Sequence, residues 1–241
     1  MKKLPTVLLF MFLIVLGPNL KGQDTQRRFH FGPRIGVALT DMKYKDRQYD
    51  DFQFVHDTIA YTNPILNVMV GLTADYVIIP AEKYGLSVQA SLMYSRKGCW
   101  MLIENGCCML IENVLREVVA YFHYMDIPVE LRGKCRISKR NYLVLGIGPT
   151  FNIGISQVNN ITEYRSHEAN KTFKKNVQFG NSEEKNGLHR LDIGANATLG
   201  IESTRGFRFD LAYYIPIRNL SIDKSKSIKF FEVSASVGYM F

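Results

Sequence analysis

Eight stretches of this chain alternate apolar and polar residues with period two, and the last is the plainest. In 228–241, Phe231, Val233, Ala235, Val237, Tyr239 and Phe241 are apolar, whereas Glu232, Ser234, Ser236 and Gly238 are polar or small. A strand sends successive side chains to opposite faces, so this pattern gives one greasy face and one wet face. Upstream, Phe29, Phe31, Ile35, Val37 and Leu39 oppose His30, Gly32, Arg34, Gly36 and Thr40. Similar sets are centred on Leu72, Ala90, Ile127 and Ile147, and again on Ala195 and Leu211. Segments of roughly ten residues with this dyad repeat are the mark of a transmembrane β-barrel. The pattern predicts an all-β fold: an eight-stranded antiparallel up-and-down barrel with a closed lumen filled by side chains.

The connections alternate as well. Those at 41–66, 99–120, 154–188 and 219–227 are long, and those around 81–83, 133–140 and 204–206 are short. Short periplasmic turns, longer outer loops and an even strand number, with both termini in the periplasm, are the expected arrangement. Aromatic residues gather at the predicted strand ends, with Phe29, Phe31, Phe207, Phe209, Tyr239 and Phe241 at one end. Tyr94, Tyr121, Phe151 and Phe231 stand at the other, which fits two interfacial girdles. A soluble lipocalin-type barrel is the structural rival, with its apolar face turned inward. Arg, Asp and Glu on the polar face, and an almost uncharged apolar face, favour the membrane form.

The N-terminus changes the picture by adding a compartment. Lys2 and Lys3 precede an apolar run over 8–16, which Gly17, Pro18 and Gly22 then break. That is a secretory signal peptide, 1–22, too short to span a bilayer as a helix. The barrel then occupies 23–241, and no later apolar run is long enough for a membrane helix. The formal charge of +8 falls to about +5 once Lys2, Lys3 and Lys21 depart. A basic balance alone could suggest nucleic acid. An exported chain without a basic helix or aromatic platform argues against it.

Four segments carry a family resemblance: FHFGPRIGVALT (29–40), GLSVQASLMYSRKG (85–98), YMDIPVELRGK (124–134) and YLVLGIGPTFNIG (142–154). Together they resemble the PorT-like outer-membrane β-barrel family of Bacteroidetes. The resemblance implies an outer-membrane barrel whose named member is a type IX secretion accessory protein. It implies no functional residues, because the shared motifs are structural.

The polar face supplies the candidate chemistry. Arg34, Arg132, Arg190, Arg208 and Arg218 are predicted to meet Asp75, Asp126, Glu130, Asp192, Glu202, Asp210 and Glu232 inside the barrel. Buried charges must be paired, so these residues read as a structural ion-pair network, with a small-ion or proton path as the sharper alternative. Histidines 30, 56, 123, 167 and 189 show no metal-ligand spacing. No catalytic residue, metal or cofactor is expected, although a lipid-modifying barrel enzyme stands as a third reading.

The outer loops hold a tandem copy, CWMLIEN (99–105) and CCMLIEN (107–113), separated by Gly106. Asn105-Gly106 is a two-residue hairpin signal. Closing there pairs Leu86 with Met125, Leu92 with Val119 and Cys99 with Glu112. Trp100, Leu102, Met109 and Ile111 would then share one face, with Met101, Ile103 and Leu110 on the other. An apolar tip of this kind marks a contact surface for a protein partner or for the lipid leaflet. Cys99, Cys107 and Cys108 fall at this tip and Cys135 at the opposite end, so all are expected to be free thiols. Lys134, Arg136, Lys139 and Arg140 read as a solvated basic turn. The expected partners are outer-membrane lipid, the barrel-assembly machinery acting on a closing strand signalled by Tyr239 and Phe241, and a protein at the outer loops.

Overall fold

A computed structural model describes residues 28–46, 58–105, 114–164, 171–177, 179, 188–222 and 226–241. Its strands are β1 (Phe29–Asp46), β2 (Thr58–Ile79), β3 (Tyr84–Asn105), β4 (Val114–Arg136), β5 (Asn141–Tyr164), β6 (Lys171–Val177), β7 (Leu191–Ser203), β8 (Phe207–Pro216) and β9 (Lys226–Tyr239). Eight of them, all but β6, close a ring through the β4–β5 and β1–β9 pairings, and every pairing is antiparallel. Closure leaves the ring without edges and satisfies the backbone internally, the condition for spanning hydrocarbon. The predicted signal peptide lies outside the described residues.

Three short turns, 80–83, 137–140 and 204–206, join strands at one end of the barrel, and the Phe241 end of the chain lies beside them. This is the turn end, and the opposite one is the loop end. In the tightest turn Gly206 has φ +88°, a left-handed conformation that costs a glycine little. Its N–H donates to the Ser203 carbonyl at 2.9 Å, and its own carbonyl accepts from Met240 N–H at 2.9 Å.

The faces follow the alternation. Ile35, Val70, Leu92, Leu145, Leu199, Leu211 and Val237 are among the large apolar side chains turned outward, and Ile147 is 65 % exposed. Arg34, Asp75, Gln89, Arg132, Asp192 and Asp210 are buried inside. A soluble barrel would show the reverse arrangement. This wall belongs against acyl chains.

At the loop end the strands run well past the ring that the alternation predicts. The hairpin of β3 and β4 is paired continuously out to Asn105 opposite Val114. Leu86 pairs with Gly133, not Met125, and Cys99 pairs with Ala120, not Glu112. The expected Asn105-Gly106 turn is therefore replaced by a longer connection over 106–113, which lies outside the described residues. The two registers differ by one eight-residue repeat. An even shift keeps every side chain on its face, so alternation cannot separate them. Interior pairing can, since the observed register brings Ser95 beside Asp126 and Gln89 beside Arg132.

The fifth strand also continues, through a register shift opposite His123 and Tyr124, as far as Tyr164. Beyond Ile153 it leaves β7, and from Gln157 to Glu163 it pairs with β6 instead. The long connection expected over 154–188 therefore contains paired strand. KTFKKNV lacks apolar alternation because β6 pairs outside the closed ring.

Candidate functional site

The polar face of the ring fills the lumen in layers. Nearest the turn end, Lys134 Nζ contacts Asp75 Oδ2 at 2.8 Å and Glu202 Oε1 at 3.0 Å. Arg208 Nη2 meets Glu202 Oε2 at 2.6 Å and Asp75 Oδ2 at 3.5 Å. One level deeper, the Arg132 guanidinium forks onto Asp210, with contacts of 2.6 and 3.3 Å. Gln89 Oε1 joins the levels by accepting from both Arg132 and Arg208. Arg34 reaches Asp210 at 3.3 Å and donates through Nε to Ser236 at 2.9 Å. Glu130 accepts from Thr198 at 2.7 Å and Asn196 at 2.5 Å. Bidentate and charge-assisted contacts of this kind are what make buried ions tolerable.

The next layer centres on Lys97, whose ammonium lies 3.5 Å from Asp126 and 3.4 Å from Glu232. The Tyr214 ring flanks it at 4.7 Å and the Tyr124 ring at 5.4 Å. Asp192 accepts from the Tyr214 hydroxyl at 2.7 Å and from Asn152 at 3.2 Å. Beyond this the lumen turns apolar. Met42, Cys99, Phe122, Leu188, Leu220 and Phe230 form a buried cluster, and Phe179 packs against it. The Phe122 and Phe230 rings meet edge-on with centroids 4.8 Å apart, while Phe179 lies 5.7 Å from Tyr124. This cap closes the loop end.

Ten of the twelve predicted lumen residues are in these layers: Arg34, Asp75, Asp126, Glu130, Arg132, Asp192, Glu202, Arg208, Asp210 and Glu232. The other two are not. Arg190 is exposed ahead of β7 and donates to the Gly154 carbonyl, and Arg218 lies beyond Pro216 and donates to the Leu191 carbonyl. Both fall where the ladder ends and the in-out phase no longer binds. Their places as cations are taken by Lys97 and Lys134, which the sequence reading missed. Lys134 is not in a solvated turn: β4 runs on to Arg136, so Lys134 keeps the inward phase of Arg132. Continuing the period-two count by one more inward position, from Ser95 to Lys97 and from Arg132 to Lys134, would have found both lysines.

Trp100 stands on the outward side of β3, where its indole N–H donates to Glu117 at 2.6 Å. Met101, Leu102 and Ile103 pair through their backbones with Val118, Glu117 and Arg116. Met109, Leu110, Ile111, Cys107 and Cys108 lie outside the described residues. Cys99 is inside the cap rather than at a tip, with its sulfur 3.8 Å from that of Met42, and both Cys99 and Cys135 are free thiols. At the turn end Tyr239 packs against Phe241 and Phe207, with ring centroids 5.0 Å apart in each pair. His30 bonds to Phe241 and His123 to the Tyr94 hydroxyl. Partial burial and the Arg218 guanidinium lower the pKa of His189, which lies in the loop-end connection before β7. Among the described residues, no group of three or more His, Cys, Asp or Glu is arranged to hold a metal ion.

Closed ring, ionic interior and apolar exterior together have a counterpart among known families. The family described as "Outer membrane protein beta-barrel domain" matches residues 21–221. This chain belongs to that family. The outer-membrane barrel is similar in fold to solved structures at low identity. Ail, the attachment invasion locus protein of Yersinia pestis, is 12 % identical over 88 % of this chain and 98 % of its own, with a TM-score of 0.33. Neisserial surface protein A is 10 % identical over 88 % of this chain and 97 % of its own, with a TM-score of 0.34. A search of curated proteins finds no match.

Proposed function

We propose that this protein is a sealed outer-membrane barrel that works by contact through its strand extensions and loops, without catalysis. The observation that carries this reading is the occluded axis. An ion network fills the lumen from Lys134 to Lys97, and the Phe122–Phe230 cap lies above it. An eight-stranded ring has room for little else. The part of the molecule left to do work is the raised wall of β3, β4, β5 and β6.

In this reading 1–22 is a signal peptide that is removed, both termini and the short turns face the periplasm, and the long extensions face outward. The Lys2–Lys3 run with its apolar core supports the first point, and the alternation of short and long connections supports the others. Lipid covers the wall, the assembly machinery reads the β9 end at Tyr239 and Phe241, and a protein partner meets the outer loops. The test is deletion of 100–111. Heat-modifiable gel mobility should persist while a partner cross-linked in intact cells is lost, and recovery of the same partner would defeat the proposal.

A second reading assigns the chain to the PorT-like barrels of Bacteroidetes, as an accessory of a type IX-like secretion system. The segments YSRKG (94–98) and YMDIPVELRGK (124–134) support it. A gene knockout that left export of type IX cargo normal would remove this reading and leave the first untouched.

A further inference from the structure

On the outside of β1 and β9, just beyond the apolar band, two lysines face each other: Lys43 is the direct cross-strand partner of Lys229. Both keep the outward phase of their strands, which runs through Leu39 and Asp41 on β1 and through Val233 and Phe231 on β9. Lys43 is exposed and Lys229 half-buried. Among the described residues neither ammonium is ion-paired. Asp41, one outward step below, uses Oδ1 to accept the Met42 N–H at 2.8 Å. Like charges set directly opposite on one face are destabilising. The Lys43 ammonium is also turned back toward the membrane, since its Nζ lies 4.6 Å from the centroid of the Phe231 ring.

The height of the pair decides what surrounds it. Outward apolar side chains of β1 run from Phe29 to Leu39. For a strand tilted by roughly 40° that run spans about 25 Å along the barrel axis, the whole hydrocarbon band. Lys43 lies about 10 Å beyond Leu39, where headgroups rather than acyl chains meet the wall. The third strand repeats the order, with Leu92 and Tyr94 exposed and Arg96 the next outward residue. Arg96 is already engaged, however: its guanidinium lies 4.6 Å over the Tyr121 ring and its Nε donates to Asn67 at 3.2 Å. Its cross-strand partner is His123, which is bonded to Tyr94. The lysine pair on β1 and β9 has no such partners among the described residues.

We propose that Lys43 and Lys229 together bind the phosphate of an anionic lipid headgroup. A phosphomonoester carries close to two negative charges and three strong acceptor oxygens. It accepts from both ammoniums at once, and so converts a repulsive pair into a chelating one; lysine binds phosphate as a point charge. Phe231 then lies against the uppermost carbons of the acyl chains. A zwitterionic headgroup brings its own cation to the same place and relieves less of the repulsion. This site is separate from the partner contact and from the lumen, and the orientation proposed above puts it in the outer leaflet.

The experiment measures the temperature at which the refolded barrel loses its heat-shifted gel mobility. Vesicles of phosphatidylcholine alone are compared with vesicles in which one lipid in ten is phosphatidic acid, a phosphomonoester. The wild-type midpoint should rise by several degrees with phosphatidic acid. Lys43→Gln with Lys229→Gln should be at least as stable as wild type in phosphatidylcholine alone, and should lose more than half of that rise. Lys43→Arg with Lys229→Arg should keep it, as should Lys139→Gln at the turn end. Inorganic phosphate added to phosphatidylcholine vesicles should give no rise. Absence of a rise in the wild type overturns the proposal. So does an equal loss in Lys139→Gln, which would make the effect one of general surface charge. An equal rise with inorganic phosphate overturns the lipid assignment, and a glutamine variant already destabilised in phosphatidylcholine makes the pair structural.

Discussion

Arg132 has no exposed surface, and its guanidinium holds Asp210 and Gln89 at once. Replacing it with Met leaves Asp210 with Arg34 as its remaining ion-pair partner and leaves Gln89 short of a donor. Removing one partner of a buried pair costs about 3–5 kcal/mol, more than the pair itself contributes. Urea unfolding in lipid vesicles, followed by the single tryptophan, Trp100, should show that loss for Arg132→Met. The double variant Arg132→Met with Asp210→Leu should recover much of it. Additive losses would mean that the two residues are not coupled. Gly200 belongs to the same unit, because a Cβ built there would lie 2.1 Å from Asp210 Oδ1. Gly200→Val should therefore destabilise the barrel by displacing that carboxylate, although it adds only apolar atoms. The interior charges were legible wherever a strand's phase was plain, as at Asp192, Arg208 and Asp210. They were illegible at strand ends, where a lysine beside a glycine, as in Lys97-Gly98 and Gly133-Lys134, looks like a turn.

For whole strands, face was written in the sequence and register was not. Alternation assigned inside and outside for the ring strands because the interior tolerates ions and the exterior does not. Leu211 tests that assignment. It points outward near the middle of β8, so Leu211→Arg should cost about 2–4 kcal/mol in a bilayer, against at most about 1 for an interfacial position such as Thr204→Arg. A change within about 0.5 kcal/mol at Leu211 would instead fit a water-exposed surface. Register in the β3–β4 hairpin needs a different probe, because the tandem repeat makes two alignments equivalent by face. Tyr94→Cys with Met125→Cys should be joined by a short bifunctional thiol reagent in a background lacking the native cysteines. Tyr94→Cys with Glu117→Cys, partners in the register closed at Asn105-Gly106, should not. The reverse result would move the turn back by one repeat. The sixth strand was invisible to periodicity for a related reason, since β6 earns its place by pairing with β5 and not by burying a face in the ring.

At the scale of the whole molecule, the lumen is closed twice, by an ionic layer and by an apolar cap, and the two closures make separable predictions about conductance. In a planar bilayer with KCl on both sides, the wild-type barrel should give no discrete current steps. Removing the cap with Phe122→Gly and Phe230→Gly opens a path from the loop end only as far as Lys97 and the carboxylates around it. That variant should also be silent, because Arg132, Asp210, Gln89 and Arg208 still span the axis below. Thinning the ionic layer alone, with Arg132→Gly and Gln89→Gly, should leave the apolar cap to exclude hydrated ions. Current steps are expected only when both sets are combined, provided the variants keep the heat-shifted mobility of a folded barrel. Steps from the wild-type protein would mean that its interior side chains rearrange into a pore. Steps from the cap variant alone would mean that the ion network is a filter rather than a plug, and the contact role assigned to the outer wall would lose the observation on which it stands.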